Sequence, residues 1–210
     1  MERSRAVRTL CMIAVMGMVP VTGIAQVVPV ISISQDDPVA LDVSQKLTYS
    51  AVNSYGPLAL LGSVAYAGIL QGIGTPAEWG GGAAGYGKRL ASTLACSGIH
   101  GALAFGLDSA LHEDPRYFRS HSTGFFSRAG HAVRGTILTR TDSGGETISV
   151  WRFGSAYGAA FLSNEWYPAR LDTVRLGFLQ GSLRLGFDLA TNLGTEFWPD
   201  IKEKILRRKP

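Results

Sequence analysis

Between His112 and Arg152 the chain gathers the side chains that can do chemistry. Arg116, Arg119, Arg128, Arg134, Arg140 and Arg152 occur there without a single Lys, alongside His112, His121, His131 and the acids Glu113, Asp114, Asp142 and Glu146. A guanidinium is a planar fork that grips carboxylate, phosphate or carbonyl groups in fixed geometry, whereas a lysine ammonium acts as a mobile point charge. Such a segment is expected to make defined contacts. These are either internal ion pairs, such as Asp114 or Asp142 holding Arg128 or Arg140 over a helix end, or external anions such as a phospholipid head group. Internal pairing is the stronger expectation, because arginines half-buried in a helical protein are usually paired structurally.

An active site built here would draw on His112, Asp114, Arg116, Arg128, His131, Arg140 and Asp142, converging in one cleft to hydrolyse a phosphate or lipid ester. The spacings fit no familiar catalytic pattern. Ser127 and Arg128 open like the SR motif of the acid and lipid phosphatase superfamily, but His131 follows too soon and no PSGH element exists. No nucleophile elbow or HExxH spacing is present, so neither a Ser/His/Asp triad nor a zinc site is expected. The run GGGAAGYGK from Gly80 to Lys88 lacks the Lys-Ser/Thr ending and the preceding strand that phosphate or dinucleotide loops need. No cofactor or metal is therefore expected. His112 and Asp108, four apart, are expected to make a helix-end hydrogen bond. In DPRY, Asp114 caps a turn, Pro115 ends the preceding helix and Tyr117 packs back with its hydroxyl exposed. RTDSGG, from Arg140 to Gly145, reads as a chain reversal.

The elements that must position these residues are apolar and rich in small side chains. From Leu47 to Ala77 no charged residue occurs, and Leu58 to Ile73 is dense in Leu, Ala and Gly. That reads as a buried or membrane-embedded helix, started or kinked at Gly56 and Pro57. A second helix is expected from about Tyr86 to Leu111, uncharged from Leu90 to Leu107. Small residues recur every fourth position at Gly98, Ala102 and Gly106, at Gly154 and Gly158, at Gly177 and Gly181, and at Gly186, Ala190 and Gly194. Each set lies on one helix face and admits a neighbouring backbone closely. Leu179 to Leu189 alternates apolar and polar residues, as a barrel strand would, yet between Leu176 and Trp198 only Thr191 and Thr195 are β-branched. Helix is favoured there. On that helix Arg184, Asp188, Asn192 and Glu196 form a polar stripe that faces water, a partner helix or a cavity, with the solvated face as the preferred reading.

The expected fold is all-α, a compact bundle of about four to five helices packed through small-residue stripes, either in water or embedded in a membrane, with a small β-barrel as the alternative. YGKR, HEDPRYFR, SRAGHA, RTDSGG, SNEWYP and EFWPDIKEK, in that order between Tyr86 and Lys204, resemble a family of exported, Gly/Ala-rich, acidobacterial-type proteins. The resemblance covers roughly residues 80 to 205, rests mainly on DPRY and FWPD, and implies compartment and architecture but no established activity.

Residues 1–25 read as a cleaved signal peptide: Arg3, Arg5 and Arg8, then the apolar Leu10 to Val19, then Gly23 and Ala25 before the cut. The apolar run is short of the roughly 20 residues that a bilayer crossing needs. Residues 26–46 are expected as an extended arm, 47–201 as one helical domain and 202–210 as a basic tail. Cys11 leaves with the signal, so Cys96 stands as a lone thiol, read as a small residue packed in a helix. The chain has 20 Lys and Arg against 16 Asp and Glu. Without the signal this is 17 against 15, and without the tail 12 against 14. The positive balance is terminal, which argues against a nucleic-acid-binding body. The functional expectation is a non-enzymatic protein of the cell envelope, periplasmic or membrane-associated. Its partners would be lipid head groups, a helical protein anchored by Phe197, Trp198 and Pro199, or a second copy of itself.

Overall fold

The computed structural model describes residues 39–207, and side chains up to residue 203; the expected signal peptide, the expected arm up to residue 38 and the last three residues lie outside this range. The fold is an all-α bundle, and no barrel forms. In chain order the elements are α1 (Val43–Tyr55), α2 (Pro57–Gly72), a short 3-10 turn (Ala77–Trp79), α3 (Gly82–Ala110), α4 (Phe125–Ile137), β1 (Leu138–Arg140), β2 (Glu146–Ile148), α5 (Val150–Asn164) and α6 (Val174–Arg207). The segment that alternates like a barrel strand lies wholly inside α6.

Local chemistry explains the boundaries. Helix α1 begins inside the expected arm because Asp42 and Gln45 form a capping box: Asp42 Oδ1 accepts the Gln45 N–H at 2.9 Å, and Gln45 Oε1 accepts the Asp42 N–H at 3.0 Å. Gly56 ends α1 and caps α2, whose first residue is Pro57. The first apolar span is thus two helices meeting at a kink, since Pro offers no N–H to carry the ladder through. The only sheet among the described residues is the hairpin β1/β2, antiparallel with Thr139 opposite Thr147 and turned by Thr141 to Gly145. Gly144, at φ 89°, supplies the left-handed residue of that turn.

Close contacts run α1/α2 against α3, α3 against α5, α5 against α6, and α6 against α4. Gly154 and Gly158 of α5 face Leu107 and Leu103 of α3, while Gly177 and Gly181 of α6 face Phe161 and Tyr157 of α5. Contacts that descend one helix while ascending the other mark antiparallel neighbours, so the long helices alternate up and down. Two of the four expected small-residue stripes therefore make helix contacts. The stripe on α3 does not run as spaced. Gly98 and Gly101 approach Tyr55 and Ser54 of α1, but Ala102 is exposed and Gly106 has open space beside it, as has Gly186 on α6.

The distribution of polarity is inverted. The buried apolar set is mostly alanine, including Ala67, Ala104, Ala132, Ala156, Ala159 and Ala160, and the larger buried side chains include Arg89, Lys46, Glu113, Glu196 and Asp108. Leu60, Leu61, Val64, Leu162, Phe178, Leu179 and Phe126 are exposed. Along α2 the buried residues are Ser63 and Ala67, while Leu60 and Leu61 face outward.

Candidate functional site

The structure sorts the seven candidate residues into two groups, each held by partners from distant parts of the chain. In the first, Asp114 does not hold Arg128 or Arg140 but Arg116. Arg116 Nη2 donates to Asp114 Oδ2 at 2.7 Å and Nε to Oδ1 at 3.0 Å, with both side chains buried. Asp142 pairs with Lys46 of α1, whose Nζ lies 3.0 and 2.9 Å from the two carboxylate oxygens and also donates to the carbonyl of Asp108 at 3.2 Å. His112, at φ 55° and with an exposed side chain, approaches Asp142 at 3.5 Å. The expected bond between His112 and Asp108 is absent because α3 ends at Ala110 and the chain turns away. Arg140 has no carboxylate partner among the described residues; its guanidinium lies over the Phe118 ring, 4.6 Å from the centroid.

In the second group Arg128 is fastened to the last helix. Its Nε donates to Glu196 Oε1 at 3.2 Å, its other nitrogens reach Asp200 and the Glu196 carbonyl, and its guanidinium covers the Phe197 ring. Phe197 also packs on Phe125, so it is not a free aromatic anchor. His131 Nε2 lies 2.9 Å from the carbonyl of Phe118, so that nitrogen carries the proton and donates. Tyr117 is buried, contrary to the expected exposed hydroxyl, and donates to Glu196 Oε2 at 2.9 Å. Burial, and then the hydrogen bond to the Glu196 carboxylate, push the Tyr117 phenol above its ordinary value. Among the described residues, the cavity lined by Asp114, Arg140 and Asp142 and the one lined by Arg128 share no residue. The charges of the two groups are mostly spent on internal pairs, as the structural reading of the arginines expects.

Sequence spacing located the polar stripe on α6 but assigned it the wrong side. Asn192 and Glu196 are 5% and 1% exposed. The stripe points into the bundle, where each residue meets polar groups from other helices, and together they make an interior ladder. Ser163 of α5 donates to Gln180 at 3.3 Å. Arg184 Nη2 meets His100 Nδ1 of α3 at 3.2 Å. Asp188 feels the charges of Arg184 and Arg152. Asn192 donates to Thr136 of α4 at 2.9 Å. Glu196 collects Tyr117, Arg128 and the N–H of Ser120. Because a guanidinium can only donate, His100 Nδ1 must accept. The ring is thereby neutral, with its hydrogen on Nε2 toward Ser155 Oγ at 3.2 Å. Arg152 turns its Nη1 to the carbonyls of Gly135 and Thr136 at 2.8 and 3.1 Å. Arg184 Nε and Asp188 Oδ2 keep no partner among the described residues. They sit on successive turns of α6.

Two further buried groups organise the ends and left little trace in the sequence. Glu113 accepts the N–H groups of Val150 and Trp151 at 3.3 and 3.1 Å, a cap for α5 supplied from another segment, since Ser149 makes no side-chain cap. At the opposite end Arg89, fully buried, binds the carbonyls of Thr75, Pro76 and Gly80 and the side chain of Gln71 at 2.7 to 2.9 Å. Nearby, Glu78 pairs with Arg170 and Trp79 stacks on Tyr167 at 5.4 Å. No cluster of metal-ligating side chains occurs among the described residues. No protein-family model, curated protein or solved structure matches the chain.

Proposed function

We propose that this chain is a non-enzymatic helical protein of the cell envelope, exported by its N-terminal signal and embedded in a membrane, with the Arg-rich segment 112–152 at the polar boundary. The observation that carries the reading is the inverted polarity: alanine, serine and charged groups inside, leucine, valine and phenylalanine outside. In water this arrangement forfeits the hydrophobic driving force, whereas in hydrocarbon the outer face is already solvated and small residues let helices meet closely. Ionisable groups inside such a bundle face its interior, where Arg184 meets His100 and Arg152 meets the carbonyls of Gly135 and Thr136.

The dimensions agree. Helix α3 is long and apolar enough to cross a bilayer. From buried Arg89 at one end to buried Asp108 at the other, a rise of about 1.5 Å per residue gives about 28 Å, close to the roughly 30 Å of a hydrocarbon core. Near one limit Trp79, Trp166 and Tyr167 gather, the amphipathic ring types of an interfacial belt; Phe125, Phe126 and Phe197 cluster near the other.

The test is fractionation of the native host. The mature protein is expected to stay with the membrane pellet through high-salt and alkaline carbonate washes and to come off only with detergent. A protein recovered in buffer as a soluble monomer refutes the proposal.

A further inference from the structure

We propose that Arg140 is the anion-binding element of a phosphate-recognition pocket at the end of the bundle that carries segment 112–152. The pocket has a volume of about 200 Å³ and is lined by Arg140, Thr141, Asp142, Ser143, Gly144, Asp114, Phe118 and Ala40. Its charges decide its ligand. Asp114 is bound in two-point fashion by buried Arg116, and Asp142 by buried Lys46. Both carboxylates are thereby neutralised, and Arg140 stands over as one positive charge without a counter-ion among the described residues.

Arg140 is also held still. The guanidiniums of Arg116 and Arg140 both lie over the Phe118 ring, 5.0 and 4.6 Å from its centroid, so the Arg140 fork is braced against that ring. Its backbone is fixed in β1, and its carbonyl accepts the Asp114 N–H at 2.8 Å. Beside it, Thr141 Oγ1 and Ser143 Oγ share one hydrogen bond at 2.9 Å, while Thr141 Oγ1 also accepts the Gly145 N–H at 3.0 Å. Two hydroxyls that share one hydrogen bond leave one hydrogen to donate. A braced planar fork with an adjacent hydroxyl donor matches a tetrahedral phosphate. The shared chemistry is a phosphate group, whether on a lipid head group or free in solution. The pocket itself does not depend on the membrane reading; only the lipid source does.

The experiment titrates purified full-length protein with inorganic phosphate by calorimetry and, separately, measures retention of phosphatidic acid against phosphatidylcholine by native mass spectrometry. Each is run for wild type, Arg140→Gln, Arg140→Lys and Arg170→Gln. Arg170 pairs with Glu78 near the N-terminal end of α3, away from the hairpin, so its loss removes the same charge outside the pocket; Glu146, opposite Arg140 in the hairpin, keeps Arg134 as its partner in all variants. The pocket requires saturable binding of phosphate or phosphatidic acid that Arg140→Gln weakens by at least about tenfold, Arg140→Lys by less, and Arg170→Gln by under about twofold. Binding of inorganic phosphate alone keeps the site and assigns it a soluble ligand. Absence of saturable binding for both probes, or equal losses in Arg140→Gln and Arg170→Gln, overturns the proposal. Unchanged helical circular dichroism in the variants separates loss of the site from loss of the fold.

Discussion

Glycine at helix contacts and glycine at open positions should respond to the same substitution with opposite signs. A Cβ added at Gly177 would lie 2.6 and 2.7 Å from Cε1 and Cδ1 of Phe161, and one at Gly181 would lie 2.6 Å from Cε1 and 3.0 Å from Cγ of Tyr157. These neighbours are aromatic rings, which cannot yield by bending at a flexible end, so helix α6 must move off α5. Overpacking of this kind costs about 1–3 kcal/mol per site, while alanine returns up to about 1 kcal/mol of helix propensity over glycine. The double variant Gly177→Ala/Gly181→Ala should lose about 2 kcal/mol, which for a chain of this size lowers Tm by about 4–8 °C. At Gly106 and Gly186 the added Cβ meets nothing within 4 Å, so Gly106→Ala/Gly186→Ala keeps only the propensity gain. It should raise Tm by about 2–6 °C. The assay is thermal unfolding in mild detergent, followed by circular dichroism at matched protein concentration. Shifts of the same sign for both pairs would refute the assignment of which glycines mediate helix contact.

Removing the Glu196 carboxylate strands Tyr117, Arg128 and the Ser120 N–H at once, so Glu196→Ala should cost about 3–5 kcal/mol in denaturant unfolding, against under about 1 kcal/mol for Arg134→Ala in its exposed pair with Glu146. The Lys46 and Asp142 pair should respond asymmetrically. Asp142→Ala leaves a lysine of 2% side-chain exposure without its counter-ion, whereas Lys46→Met leaves a carboxylate that water and His112 can reach, so the first should lower the unfolding midpoint more than the second. Alkaline pH probes Tyr117. Its folded-state phenol titrates above the unfolded one, so its contribution is complete below about pH 10, the unfolded value, and declines as pH rises past it. Wild type should lose stability between about pH 10 and 11 more steeply than Tyr117→Phe, and equal slopes in chemical unfolding would count against the buried bond to Glu196.

Much of the scaffold was legible from residue order alone, because it depends on local chemistry. Leu, Ala, Gln and Arg with few β-branched neighbours favour helix along α6. Gly56 and Pro57 break the first apolar span through the missing N–H, and Asp142, Ser143 and two glycines reverse the chain where the hairpin turns. The fourfold spacing of Arg184, Asp188, Asn192 and Glu196 also sufficed to put them on one face of one helix. Which way that face points did not follow, because periodicity defines two sides of a helix without saying which is solvent. In a bundle whose outer surface is leucine and phenylalanine, the usual assignment of polar residues to the outside reverses. The partners were equally beyond local reading. Lys46 finds Asp142, Tyr117 finds Glu196 and His100 finds Arg184 across separations that only the antiparallel stacking of α1, α3, α5 and α6 closes. The sequence determined the helices, their breaks and their faces, since these arise within a few residues. The tertiary structure decided which charges neutralise one another and that Arg140 keeps no carboxylate partner among the described residues, since a buried charge is matched by whatever the fold brings beside it.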